Sequence, residues 1–197
     1  MLIVYVMKKI LLVALAIIST ACASSHKDPV EAAIEARIAE NMGAPTVRMT
    51  YYQHPVKIDS TTLGTEIDRR RKLFEKKIEV ESVQLIRLLG EGRRKNAEIR
   101  QESIRKSYEF IEKIDSLKMS LNAHLGDVAY YDYSFSGIAK ADGQKDNEMK
   151  NAFFSITPSM TVLALTNDKS DLHKAGGWAI PGYYEILNGL DLKEEDE

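Results

Sequence analysis

The four histidines and the single cysteine are the residues of this 197-residue chain best suited to chemistry, and their spacing argues against most of it. His26, His54, His124 and His173 stand far apart, with no HExxH and no His-x-His. Asp28, Asp127 and Asp171 lie near three of them, but one histidine and one aspartate fall short of the three or four ligands a zinc site needs. No metal and no cofactor is therefore expected. The chain also has no GxSxG elbow, no GxGxxG and no P-loop, so it offers neither a hydrolase nucleophile turn nor a phosphate cradle. Ser103-Ile104-Arg105-Lys106 matches SxxK, Ser170-Asp171 begins an SDN-like triplet, and Lys174-Ala175-Gly176 looks like KTG, the motif set of a serine acyl transferase. Only His173 separates the last two, Leu172 replaces the asparagine and Ala175 the threonine, and Ser103 falls in a charged helical stretch. No catalytic residue is assigned, and the reading leans away from an enzyme.

Aromatic side chains offer binding rather than bond-making. Tyr130, Tyr131, Tyr133 and Phe135 fall in one strand-like segment, where alternating rings belong to a core more often than to a surface. Trp178, the only tryptophan, follows Gly176-Gly177 and precedes Pro181-Gly182-Tyr183-Tyr184. Amphipathic rings around flexible turns suit a contact surface or pocket rim, and they equally suit closing one end of a sheet. The candidate binding residues are Trp178, Tyr183, Tyr184, Tyr131 and Tyr133.

At the N-terminus Lys8-Lys9, the apolar run Ile10 to Ile18 and Ser19-Thr20-Ala21-Cys22 form the charged region, short apolar region and small-residue cleavage site of an export signal. Met7 makes a more typical start than Met1. The continuous apolar stretch of nine residues is short against the roughly 20 that a membrane-crossing helix takes. The segment resembles the lipobox of bacterial cell-envelope lipoproteins, with Ser19 where an aliphatic residue is commonest. That resemblance implies cleavage after Ala21, lipidation of Cys22, and anchoring to a membrane of the envelope, the outer one in a Gram-negative cell. A capped thiol excludes cysteine catalysis, and one cysteine cannot form an internal disulfide.

Cleavage would remove only two of the 27 basic residues and none of the 29 acidic ones, leaving a net charge of -4. The segment from Glu66 to Lys118 nevertheless carries 15 basic and 11 acidic residues, a basic arm on an acidic body. Arg69-Arg70-Arg71-Lys72 and Arg93-Arg94-Lys95 would read as nucleic-acid patches in a cytosolic chain. Export removes that partner, so these runs are expected to be solvated helix faces laced with ion pairs.

The elements that must carry these residues follow from periodicity. Asp28, Pro29 and Glu31 mark a helix start, and Val30, Ile34 and Ile38 give it one apolar stripe that stops at Gly43. Val47, Met49 and Tyr51 alternate as a strand, which His54-Pro55 should end or bend. From about Thr61 to Leu121 two long helices meet at Gly90-Glu91-Gly92, with stripes through Ile67, Phe74, Ile78, Leu85, Leu88 and Leu89 and through Ile104, Tyr108, Ile111, Ile114, Leu117 and Leu121. One continuous helix kinked at the glycines is the alternative. Ala129 to Phe135 and Ala152 to Ile156 read as antiparallel strands, with Thr161 to Thr166 either a continuation past Pro158 or a separate strand. Asn167 to Gly177 reads as loop, and Asp191 to Glu197 as an acidic tail.

The expected fold class is α+β: an N-terminal helix packed on a small antiparallel sheet, with a long helical hairpin inserted after the first strand. The domain plan is a signal peptide over 1–21, a tether over 22–27, one domain over 28–190 with the insertion at about 61–122, and the tail over 191–197. The body resembles cystatin-like and nuclear-transport-factor-like modules. Three functions compete. A lipid-anchored, non-enzymatic module would bind an envelope protein or cell-wall polymer; a pocket of the second resemblance would use Asp132, Tyr131 or His124 as acid, base or orienter; an inhibitor or immunity lipoprotein would plug a partner with Gly176 to Tyr184.

Overall fold

The computed structural model describes residues 27–192. The expected export signal, Cys22, most of the expected tether and residues 193–197 lie outside the described residues.

Helix α1, Pro29–Met42, forms where the sequence caps it at both ends. The Asp28 carboxylate accepts the Val30 N–H at 2.8 Å, Pro29 stands in the first turn, and left-handed Gly43 closes the helix with its N–H on the carbonyls of Ala39 and Glu40. Strand β1 then runs from Arg48 to Thr62, straight through Pro55. The expected break at His54-Pro55 is thus only a pair of register shifts, between Tyr51 and Gln53 and between Gln53 and Val56. Proline is tolerated because β1 is an edge strand, where a missing N–H costs no ladder bond.

Thr62 ends the strand and caps the next helix, its hydroxyl accepting the Thr65 N–H at 3.3 Å. Helices α2, Leu63–Gly90, and α3, Arg94–Ser120, form an antiparallel hairpin through the glycine turn rather than one kinked helix. Pairing of Asp68 with Lys118, Arg71 with Asp115 and Phe74 with Phe110 fixes its register. Ile67, Phe74, Ile78 and Leu88 are buried, as are Ile114 and Phe110. Leu89 and Tyr108, expected in the stripes, are exposed; each stands about 100° around its helix from buried Leu88 or Ser107.

A short 3-10 turn, Asn122–His124, leads into β2, Val128–Lys140, followed by β3, Asn147–Ile156, and β4, Val162–Thr166. The four strands form one antiparallel meander in the order β1-β2-β3-β4, so the chain is an α+β fold. Ile34 and Ile38 of α1 cover one face of the sheet, against Phe135, Ala139, Ala152 and Phe154. Residues of opposite parity on β2, Tyr130 and Asp132, are also buried, because the first turns of α2 and the C-terminal segment cover the other face.

That C-terminal segment is more ordered than its sequence suggests. Lys169–Ala179, read as mostly loop, is a 3-10 helix, and Tyr183–Gly189 forms a short helix α4. Ile180, Tyr183, Leu187, Leu190 and Leu192 complete a core with Ile67, Phe74, Phe110 and Ile114 of the hairpin. The first residues of the expected tail therefore belong to the fold, with the Leu192 N–H on the Leu187 carbonyl at 3.0 Å. No described helix is long and apolar enough to cross a membrane.

Candidate binding surface and the polar cluster beneath it

The first turns of α2 carry the run Arg69-Arg70-Arg71-Lys72, which is not uniformly solvated. Arg70 is 2% exposed, and Glu66, one turn before it, is fully buried. Arg70 Nε donates to Glu66 Oε1 at 2.7 Å, and its terminal nitrogens donate to the carbonyls of His173, at 2.5 Å, and Lys174, at 3.3 Å. Burial here follows from geometry: residues 66 and 70 share the helix face that meets the 3-10 segment a hundred residues later.

Glu66 Oε2 takes the Tyr130 hydroxyl at 2.8 Å and an Arg69 nitrogen. Arg69 also donates to the Tyr130 oxygen at 2.7 Å and lies 3.2 Å from His173 Nδ1. Burial, and then the Glu66 carboxylate, push the Tyr130 phenol up to about 12, so it stays a donor. Burial and the Arg69 cation lower His173 below the ordinary imidazole value, against the pull of Asp132, Glu66 and Asp59. A neutral ring with Nδ1 as acceptor matches that environment. Asp132, two residues along the same face from Tyr130, is buried and accepts the Ser155 hydroxyl at 2.6 Å.

Gly176 and Gly177 lie against this cluster, and their role is close approach rather than flexibility. A Cβ on Gly176 would stand 2.4 Å from Glu66 Oε1, and one on Gly177 would stand 2.6 Å from the Tyr183 ring. With the glycines seated, the next residue points outward. Trp178 is 66% exposed and stacks on Tyr184 with centroids 3.9 Å apart. Tyr184 meets Tyr183 edge-on at 5.3 Å, Tyr183 meets Phe110 edge-on at 5.8 Å, and Phe110 stacks on Phe74 at 3.9 Å. A continuous line of rings thus runs from the hairpin seam to the surface, ending on the tryptophan.

This divides the candidate binding residues. Trp178 and the half-buried Tyr184 form the surface end of the line. Tyr183, the first residue of α4 and about 100° around it from Tyr184, is fully buried and packs in the core against Phe110 rather than at the surface. Tyr131 and Tyr133 lie on the α1 side of the sheet, away from Trp178, where Lys57 sits 4.1 Å over Tyr131 and Tyr133 stacks on Phe154 at 5.1 Å. The proposed acid-base trio does not converge: Asp132 and Tyr131 face opposite sides of β2, and exposed His124 pairs with Asp127 at 2.8 Å. Ser103 donates to Glu81 within the hairpin and Lys174 pairs with Asp171, so the serine-lysine motifs do not converge either. Among the described residues no three His, Cys, Asp or Glu side chains are grouped to hold a metal ion.

From the sequence Arg69 and Arg70 read as part of a solvated run, Tyr130 as a core ring and His173 as an isolated histidine, while Glu66 and Ser155 carried no signal of their own; that they converge was not legible. The Glu66–Arg70 spacing of four was visible, but it is also the spacing of an ordinary surface pair. The chain matches no family model, no curated protein and no solved structure.

Proposed function

We propose that this protein is an exported envelope lipoprotein, anchored through Cys22, that acts as a non-enzymatic binding module and presents Trp178 and Tyr184 to an envelope protein or cell-wall polymer. The body is read as a cystatin-like or nuclear-transport-factor-like sheet and helix, with the hairpin as an insertion after its first strand. The observation that carries the binding reading is the exposure of the only tryptophan at the outer end of a line of rings that starts in the buried hairpin seam. A large aromatic held rigid at a surface loses little freedom on contact, which is why tryptophan is enriched among residues that dominate binding. The anchor rests on the lipobox-like segment ending in Cys22.

Affinity capture from solubilised envelope tests the reading. Trp178→Ala should weaken capture by about 2 kcal/mol or more, the scale of an interface hot spot, while the melting curve changes little. Equal capture by the two proteins would refute it. Labelled palmitate should enter the wild type and not Cys22→Ala; incorporation into the variant would refute the anchor.

A further inference from the structure

Past Phe74 and Phe110, where the C-terminal core ends, the helical hairpin is held by its own seam. Ile78, Leu88 and Ala97 are buried there, and Glu81 accepts from Arg100 and Ser103 across it. Two helices alone leave part of the apolar surface of this stretch uncovered. Val80, Val83, Ile86 and Leu89 recur at every third position, the spacing of neighbours on a helix surface, and so form one continuous strip winding around α2. Val83 is 66% exposed, Ile86 72% and Leu89 58%. Ile99 of α3 is exposed as well. Single apolar residues on a surface are ordinary, whereas a contiguous strip marks a contact.

The strip ends among cations. Residues 87–95 hold Arg87, Arg93, Arg94 and Lys95 against one acidic residue, Glu91, a net charge of +3. Glu91 lies 3.9 Å from Arg87 and 3.6 Å from Arg93, while Arg94 and Lys95 carry no ion pair among the described residues. These cations do not serve the helix they begin. Helix α3 has no side-chain cap and no acidic residue in its first turn, and positive charge at the positive end of a helix disfavours it. The apolar strip and the cations share one end of the hairpin: Val83 is seven residues before Gly90, about 10 Å along the helix, and Ile99 is five residues after Arg94.

From this we infer that the hairpin tip docks on a bilayer of anionic phospholipid, with Val83, Ile86 and Leu89 entering the boundary between headgroups and acyl chains and the tip cations meeting the phosphates. Charge and depth both fit. Amphipathic segments sink about 5 to 10 Å into that boundary, and the exposed strip spans this length. Arginine and lysine stems lie along apolar surface while their charged ends stay with the phosphates. A convex tip carrying aliphatic side chains suits a fluid partner, which closes around it without a preformed groove. A second copy docked tip to tip would instead bring two clusters of +3 together. The surface is separate from Trp178 and needs no acyl chain on Cys22.

The test uses the full chain with Cys22→Ser, which prevents acylation and removes the only native thiol. An environment-sensitive dye is attached at Leu89→Cys, or for comparison at Lys145→Cys on the exposed turn between β2 and β3. Vesicles of phosphatidylcholine with phosphatidylglycerol should shift the dye at position 89 to the blue and leave the dye at 145 unchanged. Partitioning read from position 89 should be about tenfold weaker on phosphatidylcholine alone, and added salt should weaken it on the anionic vesicles. Each cation near an anionic surface contributes about fivefold, so Arg94→Gln with Lys95→Gln should weaken partitioning about twentyfold. Ile86→Ser should weaken it about tenfold. Both changes lie at exposed positions and should leave the melting curve unchanged. A dye at 89 that stays in water while the chain sediments with the vesicles would show that the N-terminal segment alone holds the protein, and would overturn the inference. An equal blue shift at 89 and 145, or partitioning unaltered by both sets of substitutions, overturns it too. A shift that grows with protein concentration without lipid assigns the strip to a second copy and overturns the lipid reading. Because Cys22 is replaced throughout, failure of palmitate labelling would remove the anchor without touching this result.

Discussion

Replacing Arg70 with alanine should destabilise the protein far more than the same change at Arg71, although the two are adjacent in an arginine run. Arg70 is almost wholly buried, and removing it would leave the fully buried Glu66 carboxylate short of its main-face cation and the carbonyls of His173 and Lys174 without its donors. Breaking a buried pair by deleting one partner costs about 3 to 5 kcal/mol, because the remaining charge is still desolvated. Arg69 and the Tyr130 hydroxyl still reach Glu66, which places the expected loss at the lower end of that range. For a domain of this size each kcal/mol moves the melting temperature by about 2 to 4 °C, so Arg70→Ala should melt roughly 6 to 12 °C lower. Arg71 is about a third exposed and pairs with Glu75 and Asp115 at the surface, contacts worth about 0 to 1 kcal/mol. Urea and thermal denaturation followed by circular dichroism measure both. Equal shifts for Arg70→Ala and Arg71→Ala would show that the cluster is solvated and refute the account of how the C-terminal segment is held.

Three further outcomes follow from the same geometry. His173 has its proton affinity lowered in the fold by burial and Arg69, so the unfolded chain binds that proton more readily; stability should be full above about pH 6.5, fall as pH drops toward the folded value, and fall less steeply in His173→Gln, as pH-dependent urea titration would show. Gly176→Ala places a methyl against Glu66 and should cost about 1 to 3 kcal/mol, whereas Gly143→Ala, in open space, should show only the smaller cost of its positive φ; denaturation midpoints compare them. Trp178 should emit near the wavelength of indole in water and be quenched by iodide, and a blue-shifted, unquenched band would assign it to the core.

Local chemistry was enough to locate several elements. Asp28-Pro29 and Gly43 bound α1, and Gly90-Glu91-Gly92 marks the hairpin turn, because caps and turns depend on residues within a few positions of one another. The alternation that placed Phe135, Ala152 and Phe154 inside is likewise local, since a strand exposes alternate residues to opposite faces. The alternation misled where a second layer covers the other face, which is why Tyr130 and Asp132 are as buried as Phe135.

What only the tertiary structure decided depends on residues far apart in sequence. Pro55 lies within a strand because β1 is at the sheet edge, a property of strand order that no window of sequence contains. Tyr183 and Tyr184 are identical neighbours, yet the helix turn that seats one against Phe110 leaves the other to carry Trp178. Arg69, Arg70 and Arg71 have one chemistry and three environments, set by which of them the segment from His173 to Gly177 covers. Composition and spacing determined that a charged helix would form there. Desolvation by a segment a hundred residues away determined which charge became structural, because the cost of burying an ion is set by what replaces its water.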